Sequence, residues 1–187
     1  RVPLPTPSLA EQTMVMPAIR RRWTTADVRS LTREDRAWPR YELIDDELLV
    51  TPAPGYAHQL ATSELWSLLD SWLEGEPVGV AVMSPADLEL RPGTITQPDV
   101  FVIPADTPIA DDTLQWSDVR SLLLAVEVLS PSSVRTDRVA KRGFYLDAGV
   151  EEYWVVDLEA RVVERWRPAR ETPDLLRHTL DWAPRGR

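Results

Sequence analysis

Apolar positions along the chain fall into blocks whose spacing switches between helical and extended periods. From Thr24, the string TTADVRSLTRED opens on capping residues and sets Val28 and Leu31 at helical spacing, predicting a short helix. Tyr41 to Val50 reads as two short apolar runs around Asp45-Asp46, a tight hairpin ended by Pro52, Pro54 and Gly55. Between Tyr56 and Glu74, Leu60, Leu65, Leu68, Leu69, Trp72 and Leu73 follow a helical period that closes at Gly75. Four strand-like segments come next: Val78–Met83, Asp87–Arg91, Asp99–Ile103 and Leu122–Leu129. The last is almost wholly apolar, as expected of a central strand covered on both faces. Ser130-Pro131-Ser132-Ser133 then starts a helix from Val134 to Ala148, stopped by Gly149. Glu152–Val156 and Arg161–Arg167 form a closing strand pair around a turn at Asp157–Ala160, with one more strand near Leu175–Leu180. The order predicts a mixed α/β layer, a sheet between two long helices, with an N-terminal helix and hairpin as an extension.

The Pro-rich start reads as an arm over residues 1–22, and residues 23–187 as one domain, a size that can bury a real core. With 43% hydrophobic and 27% charged residues, the composition is that of an ordinary globular chain. No apolar run approaches the roughly 20 residues that cross a bilayer, and no signal segment is visible, so a cytoplasmic location is expected. The absence of cysteine excludes disulfides, thiolate-bound zinc and thiol catalysis. No glycine-rich phosphate loop, Gly-x-Ser-x-Gly or His-Glu-x-x-His pattern occurs.

A net charge of −9 argues at first against nucleic acid. Its distribution softens the objection. Residues 1–40 carry +4 and residues 120–145 carry +3, against −14 over residues 41–119. Local potential matters more to a partner than the total. Nearly all the basic residues are arginine, and Lys141 is the single lysine. A site that needs a compact ammonium would resist such a drift, because arginine is a planar fork that does not give up its proton.

Two carboxylates stand out by context. Asp99 follows Pro98 at a strand entrance, and Glu127 is embedded in the apolar run AVEVL. A carboxylate in a central strand costs several kcal/mol unless it is paired or bound to a cation. An Asp and a Glu on neighbouring strands suit Mg²⁺, which takes one or two carboxylates, a carbonyl and waters. The competing readings are a capping carboxylate for Asp99 and a buried ion pair with an arginine for Glu127. On the following helix Asp137, Lys141 and Tyr145 are spaced i, i+4, i+8 and share a stripe that could aim Lys141 at the two acids. The alternative is a surface Asp137–Lys141 pair worth about 0.3–0.5 kcal/mol. Arg135, Arg138 and Arg142 on that helix are candidate DNA contacts. His58 is either an orienting or phosphate-binding residue or a simple helix-start residue, and Glu42 is either structural or turned off the apolar face.

These residues resemble the PD-(D/E)xK restriction-endonuclease-like superfamily. The longer strings YELIDDEL, TPAPGYAH ending at His58, QPDVFV, and AVEVLSPSS…DR…K…Y…GVEEYWVVD resemble its bacterial Uma-type restriction endonuclease family. The resemblance implies a restriction-endonuclease-like core, a central mixed sheet flanked by helices, and Mg²⁺-dependent hydrolysis of DNA phosphodiesters, with Mn²⁺ as a substitute. By position it makes Asp99, Glu127 and the Val128 carbonyl metal ligands and Lys141 the water-positioning lysine, with Glu42 and His58 on recurrent positions. The superfamily's usual lysine lies two residues beyond the glutamate, where this chain has Leu129. The role therefore passes to Lys141. Cutting both strands commonly needs two sites, so a homodimer is the expected assembly. The runner-up is a binding module for nucleic acid or protein on a decayed nuclease fold, which the acidic surface favours. A self-associating structural protein, suggested by eight tryptophans and the proline-rich arm, is the third reading.

Overall fold

Leu124-Ala-Val-Glu-Val128 has every residue buried, which places it in the middle of a sheet covered on both faces. A computed structural model describes residues 22–31, 38–108 and 115–184. The predicted arm lies outside the described residues except for Arg22, as do residues 32–35 of the first predicted helix. The elements are α1 (Thr25–Leu31), β1 (Arg40–Ile44), β2 (Glu47–Thr51), α2 (Tyr56–Gly75), β3 (Gly79–Met83), β4 (Val100–Pro104) and β5 (Leu124–Val128). A π-helical stretch, Thr136–Lys141, runs into α3 (Arg142–Asp147), and β6 (Glu152–Asp157), β7 (Val162–Trp166) and β8 (Asp174–Leu176) follow.

Strands β3 to β8 form one six-stranded mixed sheet in sequence order, while β1 and β2 pair only with each other. Within the large sheet β5 and β6 are parallel, joined by the π-helix and α3; the other pairs are antiparallel. The strand period of two sorts the core into two layers. Val100, Val102, Leu124 and Val126 pack against Leu69 and Leu73 of α2. Phe101, Ile103, Ala125 and Val155 pack on the other face with Phe144 and Tyr145 of α3. Glu127 has the parity of that second layer and faces the π-helix and α3, while Asp99 lies just before β4.

The hairpin forms as expected, with Asp45 and Asp46 both at positive φ, 50° and 64°, a conformation these short polar residues tolerate. It is docked on the body by the Leu43–Ile95 bridge and by Val28, Leu43 and Ile95, all at 1% exposure or less. Gly149 stops the helix at φ +82°.

Three expectations are corrected. Asp87–Arg91 is not a strand; Leu88 makes one bridge to Thr96, and the Pro92-Gly93 turn, with Gly93 at φ +81°, ends the pairing. The helix over Val134–Ala148 is not regular, since the Arg142 N–H bonds the Asp137 carbonyl five residues back. The sheet is also not held between two long helices. α2 covers one face with 20 residues, but the other is covered by the π-helix, a short α3 and buried loop residues such as Leu88 and Leu122.

Candidate active site

The β4–β5 register pairs Val100 with Val126, and Asp99 and Glu127 are the residues next to that pair. Directly opposed positions of an antiparallel pair have Cβ atoms about 4.5–5.5 Å apart. Two carboxylates thus meet at one end of the central strands, each no more than 4% exposed.

Asp99 is held from three elements. Its Oδ1 accepts from Nη1 of Arg40 at 2.9 Å, and its Oδ2 accepts from the Val128 N–H at 3.0 Å. Nε2 of His58, in the first turn of α2, stands 3.1 Å from the same Oδ2. Arg40 comes from β1, and its guanidinium lies 4.3 Å over the Trp38 ring.

Glu127 faces the helix that follows it. Its Oε1 accepts from Nζ of Lys141 at 2.9 Å and from the Tyr145 hydroxyl at 3.3 Å. Lys141 also reaches Oε2 of Glu42, on β1, at 2.8 Å, and the other Glu42 oxygen accepts from the Gln97 N–H at 2.8 Å. Oδ1 of Asp137 lies 3.8 Å from the ammonium and accepts no hydrogen bond. The side chains of Lys141, Glu42, Glu127 and Asp137 are all at least nine-tenths buried. The surface Asp137–Lys141 pair is thereby overturned: the pair is inside, and Lys141 is closer to two other acids.

Four buried carboxylates, Glu42, Asp99, Glu127 and Asp137, surround two permanent cations, Arg40 and Lys141. That imbalance drives the titration of the cluster. Burial pushes Glu127 well above the usual carboxylate range; Lys141 opposes this, while Asp99, Asp137 and Glu42 add to it. Burial raises Asp137 as well, against Lys141 and a Ser133 hydrogen bond. Asp99 moves the other way: burial would raise it, but His58, Arg40 and the Val128 N–H together hold it low. His58 is raised, because Asp99 outweighs its desolvation. Lys141 is raised despite burial by Glu127, Glu42 and Asp137, so it stays an ammonium. Tyr145 is pushed up by burial and the neighbouring acids and stays a phenol.

A cavity of about 400 Å³ opens onto this cluster, with Asp99, Glu127, Asp137 and Lys141 in its wall and the Ser130–Ser133 turn at its rim. Among the described residues, no three His, Cys, Asp or Glu side chains converge as a ready-made cage for a metal ion. The donor chemistry nonetheless fits a hard divalent cation. Mg²⁺ is ordinarily held by one or two carboxylates with several waters rather than an all-protein cage. Both hydrogen bonds to Glu127 fall on Oε1, and the cluster holds four carboxyl groups against two permanent cations.

Of the residues singled out in the sequence, Asp99, Glu127, Lys141, Asp137, Tyr145, His58 and Glu42 come together here. Arg138 does not: it pairs with Asp157 at 2.8 Å and Glu164 at 2.7 Å. The Arg142 guanidinium is spread over the Trp166 ring at 4.4 Å, and Arg135 is exposed. Arg40 and Gln97 are site residues that sequence reasoning missed. Gln97 was visible only as the neighbour of Pro98, and Arg40 only as the residue before the hairpin.

The fold is that of a restriction-endonuclease-like α/β protein, a mixed sheet flanked by helices. The chain belongs to the Uma2 family, whose model, described as "Putative restriction endonuclease", matches residues 26–182. Membership supports a nuclease function. The crystal structure of a "putative nuclease belonging to DUF820" from Anabaena variabilis superposes with a TM-score of 0.68 at 18% identity, covering 84% of this chain and 88% of that one. That likeness speaks to the fold. No curated protein matches the sequence. Among the described residues no helix is long and apolar enough to cross a membrane.

Proposed function

We propose that the chain is a divalent-metal-dependent endonuclease that hydrolyses DNA phosphodiester bonds, with Asp99, Glu127 and Lys141 as its catalytic residues and Mg²⁺ as its ion. The observation that carries this reading is the buried excess of carboxylate over permanent cation on the wall of an open cavity. Asp99, Glu127 and the Val128 carbonyl would hold the ion. When bound, it supplies Lewis-acid stabilisation of the phosphate and acidifies a water. Lys141 stays charged and cannot serve as the proton acceptor. Its part is to hold the attacking water and to stabilise negative charge that develops on the phosphate. Arg40, His58 and the Val128 N–H keep Asp99 ionised and oriented. The Ser130–Ser133 turn at the cavity rim offers hydroxyls to the DNA backbone. A homodimer in the cytoplasm remains the expected working form.

The test is nicking of supercoiled plasmid in Mg²⁺ or Mn²⁺ and its loss in EDTA. Glu127→Gln and Asp99→Asn, folded by circular dichroism, should each lose at least about 100-fold, the upper end of what outer-shell changes at metal sites cost. Wild-type cleavage by Glu127→Gln would remove the carboxylate pair from the mechanism. The second reading, a binding module on the same fold, draws on the Arg40–Asp99 pair, which leaves Asp99 neutralised without a metal. It predicts DNA binding indifferent to Mg²⁺ and no cleavage by the wild type.

A further inference from the structure

Lys141 has a third acidic neighbour with which it makes no hydrogen bond. Its ammonium bridges Glu42 at 2.8 Å and Glu127 at 2.9 Å, while Oδ1 of Asp137 waits at 3.8 Å with no hydrogen-bond donor. An unsatisfied buried acceptor is costly, more so when charged, and one kept in place calls for a second state that uses it. The surroundings identify that state. Glu42 is a fixed pivot, because its other oxygen is tied to the Gln97 N–H. Glu127 is the movable partner, because the oxygen that holds Lys141 belongs to a carboxylate facing the proposed ion position. A divalent cation on Glu127 would draw charge from that carboxylate and repel the ammonium beside it. A shift of about 1 Å toward Asp137 would bring Lys141 to ordinary hydrogen-bond distance there. Asp137 and Lys141 sit in the same π-helical stretch, so only the lysine's flexible stem has to adjust.

The geometry points to Asp137 as a positioning residue, the second seat of the Lys141 ammonium, taken up when a divalent ion occupies Glu127. The seat keeps Lys141 charged, off the ion, and beside the water it orients. This rests on the metal-dependent reading above and adds to it how the lysine is handed from one acid to another.

Because Lys141 is the only lysine of the chain, ε-¹⁵N-lysine labelling gives one ammonium signal that needs no assignment. The full chain is titrated with Mg²⁺ in the absence of DNA, with ion binding followed in parallel by calorimetry. The expected result is a saturating shift of that signal in the wild type. In Asp137→Asn, which keeps the shape and removes the charge, the shift reached at Mg²⁺ saturation should fall by at least half. On plasmid at saturating Mg²⁺, Asp137→Asn should lower kcat about 10- to 100-fold, as for other residues that act through a site's primary groups. Asp137→Glu should restore part of it. If Asp137→Asn does not fold, Asp137→Ser carries the comparison. Identical shifts in wild type and variant would overturn the proposal, as would a still signal while calorimetry reports binding; either leaves the nuclease reading intact. Absence of Mg²⁺ binding to the wild type would overturn both.

Discussion

Replacing Lys141 by methionine tests the charge balance of the cluster directly. The stem is nearly preserved and the ammonium removed, which strands Glu42, Glu127 and Asp137, each 3% exposed or less. Removing one partner from a buried ion pair costs about 3–5 kcal/mol, because the remaining charge stays uncompensated. That is a large share of the roughly 5–15 kcal/mol that holds a typical domain folded. The pH dependence follows from the sign of the shift. Burial and the neighbouring acids raise Glu127 above its ordinary value of 4.5 in the folded state, so over the intervening range the native protein binds a proton that the unfolded chain does not. The penalty is absent below the unfolded value and fully present above the folded one. Losing the ammonium widens that window, and stability should recover by up to about 1.4 kcal/mol per pH unit for each such proton as pH falls. Urea unfolding in EDTA, followed by the fluorescence of the eight tryptophans, measures this at about pH 8 and pH 5. The variant should be several kcal/mol weaker at the higher pH, with most of the gap closed at the lower. A midpoint equal to wild type at about pH 8, or a deficit that ignores pH, would refute the reasoning.

Two further outcomes test parts of the fold away from the cavity. Gly149→Ala meets no atom within 4 Å, so its whole effect is the positive φ; it should cost about 1 kcal/mol and lower the melting temperature by about 2–4 °C, with both activity and metal binding unchanged. Arg138→Met should cost no more than about 1 kcal/mol at neutral pH and leave DNA affinity unchanged, since its guanidinium is spent on Asp157 and Glu164. The Ala160 N–H and Arg138 hold Asp157 below its ordinary 3.8, so its contribution is present above that value and fades as pH falls through the lower folded one. A gel-shift measured beside acid unfolding checks both statements.

Much of the architecture was legible because it rests on local rules. Asp45-Asp46 declares a turn that needs positive φ, Gly149 a helix end, and the period of Tyr56–Glu74 a surface helix. Glu127 was legible because a charge inside an apolar strand has few explanations, and Lys141 because arginine had replaced every other lysine. What stayed hidden depended on distant parts meeting. Glu42 and Arg40 belong to a hairpin outside the main sheet, and nothing local shows that β1 ends against Lys141 and Asp99. A regular helix period placed Asp137, Lys141 and Tyr145 on one stripe, but it did not show the π-helical turn or that Oδ1 of Asp137 would be buried without a donor. Asp87–Arg91 misled because buried Leu88 and Leu90 alternate like a strand, although Pro92-Gly93 turns the chain away.

The β1–β2 hairpin has a consequence beyond its own stability. Its two charged contributions differ in sign, Arg40 to Asp99 and Glu42 to Lys141, yet both are delivered by one small ribbon resting on Val28, Leu43 and Ile95. Detaching that ribbon would take Arg40 from Asp99 and Glu42 from Lys141 in a single event. On the nuclease reading proposed above, the docking of a minor element would then gate catalytic competence, and greasy residues remote from any phosphate would govern the chemistry.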